Sequence, residues 1–145
     1  MNEKLYKLGI DIGSTTVKIA ILDEQDNLIF SDYERHFANI QETLSNLLHK
    51  AFDSTGEIMV SPMITGSGGL ALANHLGIDF VQEVIAVSTA LTHYAPQTDV
   101  AIELGGEDAK IIYFENGNVE QRMNGICAGG TGSFIDQMAS LIQTD

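Results

Sequence analysis

Ile10-Asp-Ile-Gly-Ser-Thr-Thr-Val-Lys-Ile-Ala-Ile-Leu22 decides the fold of this chain, because its pattern returns at Ile102-Glu-Leu-Gly-Gly-Glu-Asp-Ala-Lys-Ile-Ile-Tyr-Phe114. Laid over each other, the stretches match at Ile10 and Ile102, Gly13 and Gly105, Lys18 and Lys110, and Ile19 and Ile111. An acid stands in register before each turn, Asp11 in the first copy and Glu103 in the second. Each copy predicts a strand, a Gly-rich turn carrying hydroxyls or carboxylates, and a second strand. A carboxylate at a strand end beside glycine amides suits a metal–phosphate group. Two such turns facing each other would grip a nucleotide's phosphates from both sides.

Composition narrows the function classes. The chain has 145 residues, 44% of them hydrophobic, which suits one modest globular domain by size. A net charge of −13 with only seven Lys and Arg argues against nucleic acid and against anionic membrane surfaces. No apolar run approaches the roughly 18 residues of a membrane-spanning helix. The start, Met1-Asn-Glu-Lys-Leu-Tyr-Lys7, lacks the basic and apolar regions of a secretion signal. A single cysteine, Cys127, cannot form an internal disulfide and points to a reducing cytoplasm.

Working outward from the first copy, Leu8–Ile12, Val17–Leu22 and Leu28–Tyr33 predict an antiparallel meander with a turn at Asp23–Asn27. Ile40, Leu44, Leu47, Leu48 and Ala51 recur at helical spacing. Glu57–Thr65 reads as a buried strand, against which Pro62 is a weak objection. A helix over Gly68–Leu76 ends at Gly77 as its C-cap, and a second runs over Glu83–Tyr94. Pro96–Asp99 is the expected boundary. Strands follow over Val100–Leu104, Ala109–Phe114 and Val119–Met123, with Asn116-Gly117 as a hairpin signal. The loop Asn124–Gly130 then leads into a helix from about Thr131. Strands followed by helices, twice over, imply a two-lobed α/β protein. Its second half is thin, so the chain reads as the N-terminal piece of something longer.

Four segments bear chemistry. Asp11, Gly13, Ser14, Thr15 and Thr16 offer one carboxylate, three hydroxyls and backbone amides that can form an anion nest. Asp11 suits Mg²⁺ directly or through water, and Lys18 stands within reach of a phosphate. In the second turn, Gly105 and Gly106 admit a phosphate against the backbone. Glu103, Glu107 and Asp108 suit a metal or an attacking water. Gly66-Ser-Gly-Gly-Leu-Ala71 fits the G-x-G-x-x-A dinucleotide pattern. The acid expected about 20 residues on is missing, no clear β-strand return follows, and a tight strand-to-helix turn explains the glycines as well. Cys127 precedes a helix start in a Gly-rich loop, where a thiolate would be stabilised; a small buried hydrophobe is the alternative. His36, His49, His75 and His93 show no metal-ligand spacing and read as surface or satisfied histidines.

Leu8-Gly-Ile-Asp-Ile-Gly-Ser-Thr-Thr-Val-Lys18, Glu103-Leu-Gly-Gly-Glu-Asp-Ala-Lys110 and Asn124-Gly-Ile-Cys-Ala-Gly-Gly-Thr-Gly-Ser-Phe134 together resemble one family. It is the ATP-dependent activators of 2-hydroxyacyl-CoA dehydratases, with the related ATPase subunits of benzoyl-CoA reductase. The first motif is shared with sugar kinases, actin and heat-shock chaperones; the Cys-Ala-Gly-Gly-Thr-Gly loop is much narrower. The resemblance implies a ribonuclease H-like, actin-type ATPase fold with ATP between two lobes. Residues 1–95 would form the first lobe, and 98–145 the beginning of the second. It also implies that Cys127 ligates a [4Fe–4S] cluster shared across a homodimer, with another cysteine further along. ATP hydrolysis would then drive electron transfer to a CoA-ester dehydratase or reductase. Glu103 departs from the Asp usual in the wider superfamily, and Gly69 stands where many relatives carry Arg. The isolated 145-residue chain is expected to bind ATP weakly and to hold no cluster stably. Two rivals are a redox-silent sugar or acyl kinase of the same superfamily and a non-enzymatic, nucleotide-dependent interaction module.

Overall fold

Side chains alternate across a strand, so one face of a hairpin collects every second residue. On β1 (Leu5–Ile12) and β2 (Thr16–Leu22) that face carries Leu8, Ile10, Ile12, Val17, Ile19 and Ile21, all buried. The register pairs Leu8 with Ile21, Ile10 with Ile19 and Ile12 with Val17. Burial of each such side chain contributes about 1.5–3 kcal/mol. The computed structural model describes residues 4–106, 108–115, 118–123 and 131–144. Packing divides the chain into two units, Met1–Glu83 and Val84–Asp145.

In the first unit, β3 (Leu28–Arg35) pairs antiparallel with β2, which completes the expected meander. α1 (Ile40–Thr55) then packs on β2 and β3. Its buried stripe is Thr43, Leu44, Leu47 and Ala51, rotated from the expected one, and Leu48 is left exposed. Thr43 tolerates burial because its hydroxyl donates to the Asn39 carbonyl at 2.8 Å. β4 (Met59–Thr65) returns parallel to β1 and sets Ile64 beside Ile10 in the core.

The expectation of a wholly buried β4 is corrected. Met59 and Met63 are about half exposed, while Ile64 is fully buried, so one face of the strand is open. Pro62 fits because the next strand, β5 (Asp79–Phe80), pairs only with Met63 and Ile64. On that side of Pro62 no ladder has to be completed. β5 also corrects the reading that no strand returns after the helix. β4, α2 (Gly69–Leu76) and β5 form a short βαβ unit with parallel strands. The five-stranded sheet runs β3-β2-β1-β4-β5.

Gly77 ends α2 in the left-handed conformation (φ 65°, ψ 31°), with its N–H donated to the Ala73 carbonyl. A Cβ there would meet nothing within 4 Å. Gly77→Ala is therefore expected to cost only the backbone preference, about 1 kcal/mol. A denaturant melt of the variant checks it.

The second unit carries α3 (Glu83–Tyr94) and a three-stranded antiparallel meander of β6 (Val100–Leu104), β7 (Ala109–Glu115) and β8 (Asn118–Met123). α4 (Thr131–Leu141) follows where a helix was expected. Glu115 pairs with Asn118, as a tight hairpin requires. Among the described residues, Lys110 and Ile112 are the buried side chains of β7. No described helix is long and apolar enough to cross a membrane.

Candidate functional site

The sequence repeat is also a repeat of geometry. In the first hairpin Asp11 lies opposite Lys18, Ile12 opposite Val17, and the Gly13 N–H donates to the Thr16 carbonyl at 2.9 Å. In the second, Glu103 lies opposite Lys110, Leu104 opposite Ala109, and the Gly105 N–H donates to the Asp108 carbonyl at 2.8 Å. Acid, lysine and glycine thus occupy the same three register positions twice. Cross-strand neighbours on one face lie close enough to pair, and both acids do so with their lysine.

The pairings differ in burial. Lys18 Nζ sits 2.8 Å from Asp11 Oδ2, with about half of the lysine side chain in solvent. Lys110 is 8% exposed and stands 3.6 Å from Glu103 Oε1 and 3.9 Å from Asp108 Oδ2. A lysine is rarely buried without paired carboxylates, and Glu103 and Asp108 supply them. The single Lys110 charge therefore offsets one of the second turn's carboxylates.

Asp11 is the centre of the first hairpin's polar end. It faces away from the apolar core, as do Lys18 and Thr65, its Cα partners on β2 and β4. Asp11 Oδ1 and Thr65 Oγ1 are buried and make no hydrogen bond among the described residues. Buried polar atoms are paired in the great majority of cases, and an exception calls for a partner such as an ordered water or an ion, or for a strained or catalytic role. Two hard oxygen donors beside a Gly-rich turn fit Mg²⁺ or its bound water. Among the described residues, no group of three or more His, Cys, Asp or Glu side chains gathers as a metal site.

Gly66 walls this corner. It has φ +97°, and a Cβ on it would fall 2.3 Å from the Ile12 carbonyl oxygen and 2.5 Å from Asp11 Oδ1. Gly68 donates its N–H to the same Ile12 carbonyl at 2.9 Å. A Cβ on Gly69 would meet Ile64 Cγ2 at 2.7 Å and the Phe80 ring at 3.4 Å. The glycines of the G-x-G-x-x-A stretch thus seat α2 against β1, β4 and β5, which is the strand-to-helix turn weighed against dinucleotide binding. The packing at Gly69 leaves little room for any side chain there.

The loop Gly13–Thr16 is held from β3's end. The His36 N–H donates to the Thr15 carbonyl at 3.1 Å, and His36 Nε2 lies 3.2 Å from the Gly13 carbonyl oxygen. In the second unit, the Gly132 N–H at the start of α4 donates to the Gly105 carbonyl at 2.9 Å. A Cβ on Gly132 would lie 2.7 Å from that oxygen, so Gly132 lets the helix start rest on the glycine turn. Thr131 Oγ1 beside it is buried and makes no hydrogen bond among the described residues.

Of the expected site residues, Asp11, Gly13, Ser14, Thr15, Thr16 and Lys18 gather on the first hairpin. Glu103, Gly105, Gly106 and Asp108 gather on the second. Glu107 and Cys127 lie outside the described residues. Thr65 was missed; Gly66 was singled out only within the G-x-G-x-x-A stretch, and His36, read as a surface or satisfied histidine, is satisfied by Gly13 and Ala38. Thr65 ends a strand parallel to β1, and the carboxyl ends of parallel strands are where α/β sheets bind ligands, so topology was the missing signal.

Comparison with known proteins identifies the family and the fold. The profile of the BadF/BadG/BcrA/BcrD ATPase family matches residues 8–145. The 2-hydroxyisocaproyl-CoA dehydratase activator of Clostridioides difficile is 31% identical, over 97% of this chain and 54% of that protein. Component A of (R)-2-hydroxyglutaryl-CoA dehydratase from Acidaminococcus fermentans superposes with a TM-score of 0.80 at 26% identity, over 97% of this chain and 55% of its own. The Clostridium difficile activator with bound ADPNP gives 0.78 at 29% identity, over 97% and 53%. This chain spans about half the length of the relatives it matches. The fold is α/β of the ribonuclease H-like, actin and sugar-kinase type. A duplicated acid–glycine–lysine hairpin, set in that fold and matched along nearly its whole length, places the chain in the BadF/BadG/BcrA/BcrD ATPase family.

Proposed function

We propose that this chain is the ATP-binding part of a cytoplasmic activator that hydrolyses ATP to deliver an electron to a CoA-ester dehydratase or benzoyl-CoA reductase-type partner. The observation that carries the reading is the pair of equivalent hairpins, each with an acid, a glycine turn and a lysine in identical register. Three of the relatives are named as activators of CoA-ester dehydratases, and one solved activator structure holds bound ADPNP. The loop of each hairpin takes phosphate oxygens, Gly13, Ser14, Thr15 and Thr16 in the first, Gly105 and Gly106 in the second. Lys18 offsets phosphate charge. Asp11 Oδ1 and Thr65 Oγ1 are suited to hold Mg²⁺ through water, and that ion would neutralise charge on the phosphates. Glu103, Glu107 and Asp108 orient the attacking water, with Lys110 holding two of them in place.

Cys127 supplies one thiolate per chain toward a [4Fe–4S] cluster shared across a homodimer. Such clusters are held by Cys thiolates, commonly four, so ligands beyond this chain's single cysteine are required. The cluster would supply one-electron chemistry.

Asp11→Asn tests the nucleotide half of the reading in the full-length protein. Hydrolysis of ATP, followed as phosphate release, is expected to fall about 100-fold, the scale of losing one positioned charge in phosphoryl or acyl transfer. ATP should still bind. Unchanged hydrolysis would remove Asp11 from the mechanism.

A further inference from the structure

One buried histidine adjoins the first glycine turn. His36 is 9% exposed and lies directly after β3. Its Nδ1 accepts the Ala38 N–H at 3.0 Å, so in this arrangement the ring proton belongs on Nε2. Nε2–H is then the donor to the Gly13 carbonyl at 3.2 Å. The backbone N–H of the same residue holds the Thr15 carbonyl at 3.1 Å, and the Gly13 N–H holds the Thr16 carbonyl. The turn's carbonyls are thus drawn inward at three points, two of them by His36.

The peptide plane makes this consequential. In a trans peptide, the carbonyl of one residue and the N–H of the next point in opposite directions. A Gly13 carbonyl pulled toward His36 turns the Ser14 N–H to the far side of the turn. The Ser14 amide makes no hydrogen bond among the described residues. The segment that delivers the ring is itself under strain, since Phe37 (φ 42°) and Ala38 (φ 67°) are consecutive non-glycine residues in the left-handed region. Such residues cost of order 1–3 kcal/mol each and persist where surrounding bonds fix them, often at functional sites. Here the fixing bonds are Ala38 N–H to Nδ1 and Asn39 N–H to the His36 carbonyl.

We propose that His36 is a positioning residue for phosphate binding, whose Nε2–H holds the Gly13 carbonyl and thereby aims the Ser14 amide at a nucleotide phosphate. This rests on the phosphate-binding reading of the first hairpin. It adds a residue from β3's end that touches no nucleotide itself.

Two variants separate the ring's two bonds. His36→Asn places its side-chain oxygen where Nδ1 was, keeping the Ala38 turn, but falls short of Gly13. His36→Gln carries an N–H as far as Nε2 and can keep the Gly13 contact. In the full-length protein, ATP and adenosine affinities are measured by calorimetry, with a thermal melt of each variant. His36→Asn is expected to weaken ATP about tenfold, the scale of one lost hydrogen bond and its realigned amide, with adenosine affinity unchanged. His36→Gln should stay within about threefold of wild type for ATP, a loss smaller than one hydrogen bond is worth.

The outcomes that overturn the proposal differ from those that overturn the reading beneath it. Wild-type protein binding adenosine as tightly as ATP sinks the phosphate reading itself. Wild-type preference for ATP with His36→Asn unchanged sinks only the role of His36. An equal loss of ATP and adenosine affinity makes His36 merely structural, as does a His36→Gln defect as large as that of the Asn variant. Should His36→Asn fail to fold, the ring nitrogen-15 shifts of His36 in the wild-type protein decide: a proton on Nε2 is what the proposal requires, and a proton on Nδ1 overturns it, since Nε2 could then not donate to Gly13.

Discussion

Gly66→Ala is expected to destabilise the first unit by roughly 4 kcal/mol, combining about 1–3 for a left-handed backbone with about 1–3 for overpacking. Gly66 has φ +97°, and its absent side chain leaves the Ile12 carbonyl and Asp11 Oδ1 where a Cβ would stand, 2.3 and 2.5 Å away. Neither neighbour can step aside cheaply. The Ile12 carbonyl also accepts the Gly68 N–H, and Asp11 is paired with Lys18. Relief would have to come from moving the end of β1 or the start of α2, and both carry the polar corner around Asp11. For a unit of this size the melting temperature should fall by about 15–30 °C, and nucleotide binding should be lost even where the protein stays folded. Gly77→Ala is the control. It shares the left-handed backbone without the clash, and a loss as large as that of Gly66→Ala would show that contacts with β1 are not the cause.

Cys127→Ala is expected to abolish activation of the partner enzyme while leaving ATP hydrolysis intact. With one cysteine in this chain, the substitution removes its entire thiolate contribution to a cluster. Cluster content after anaerobic reconstitution and partner activation should each fall by about 100-fold or more, because no neighbouring thiolate can substitute. The hairpins that carry Asp11, Lys18, Glu103 and Lys110 do not include Cys127, so phosphate release should be unaffected. Full activation by the variant would instead favour a redox-silent kinase-like ATPase.

The parts legible in the sequence were those set by local chemistry. Alternating Ile, Leu and Val around Gly13 and around Gly105 dictated two hairpins, and the offset from Asp11 to Lys18 recurs from Glu103 to Lys110. Gly77 announced the end of α2, and Thr131 the start of α4. What stayed hidden depended on partners distant in sequence. β5 is two residues long and exists only because Met63 and Ile64 offer it an edge. Thr65 reads as one more polar residue until β4 lies parallel to β1 and places it beside Asp11. The Leu48 face of α1 was ambiguous by spacing alone, and Thr43 displaced it by satisfying its own hydroxyl. His36, a lone histidine by sequence, became informative only when β3's end folded onto the glycine turn.

Amide hydrogen exchange in the full-length protein, with and without saturating ATP and Mg²⁺, asks the central question of each hairpin separately. Slower exchange across both Gly13–Thr16 and Gly105–Asp108 is the expected result. Protection of only one turn, or of neither while ATP is bound, would contradict a phosphate grip built twice from the same motif.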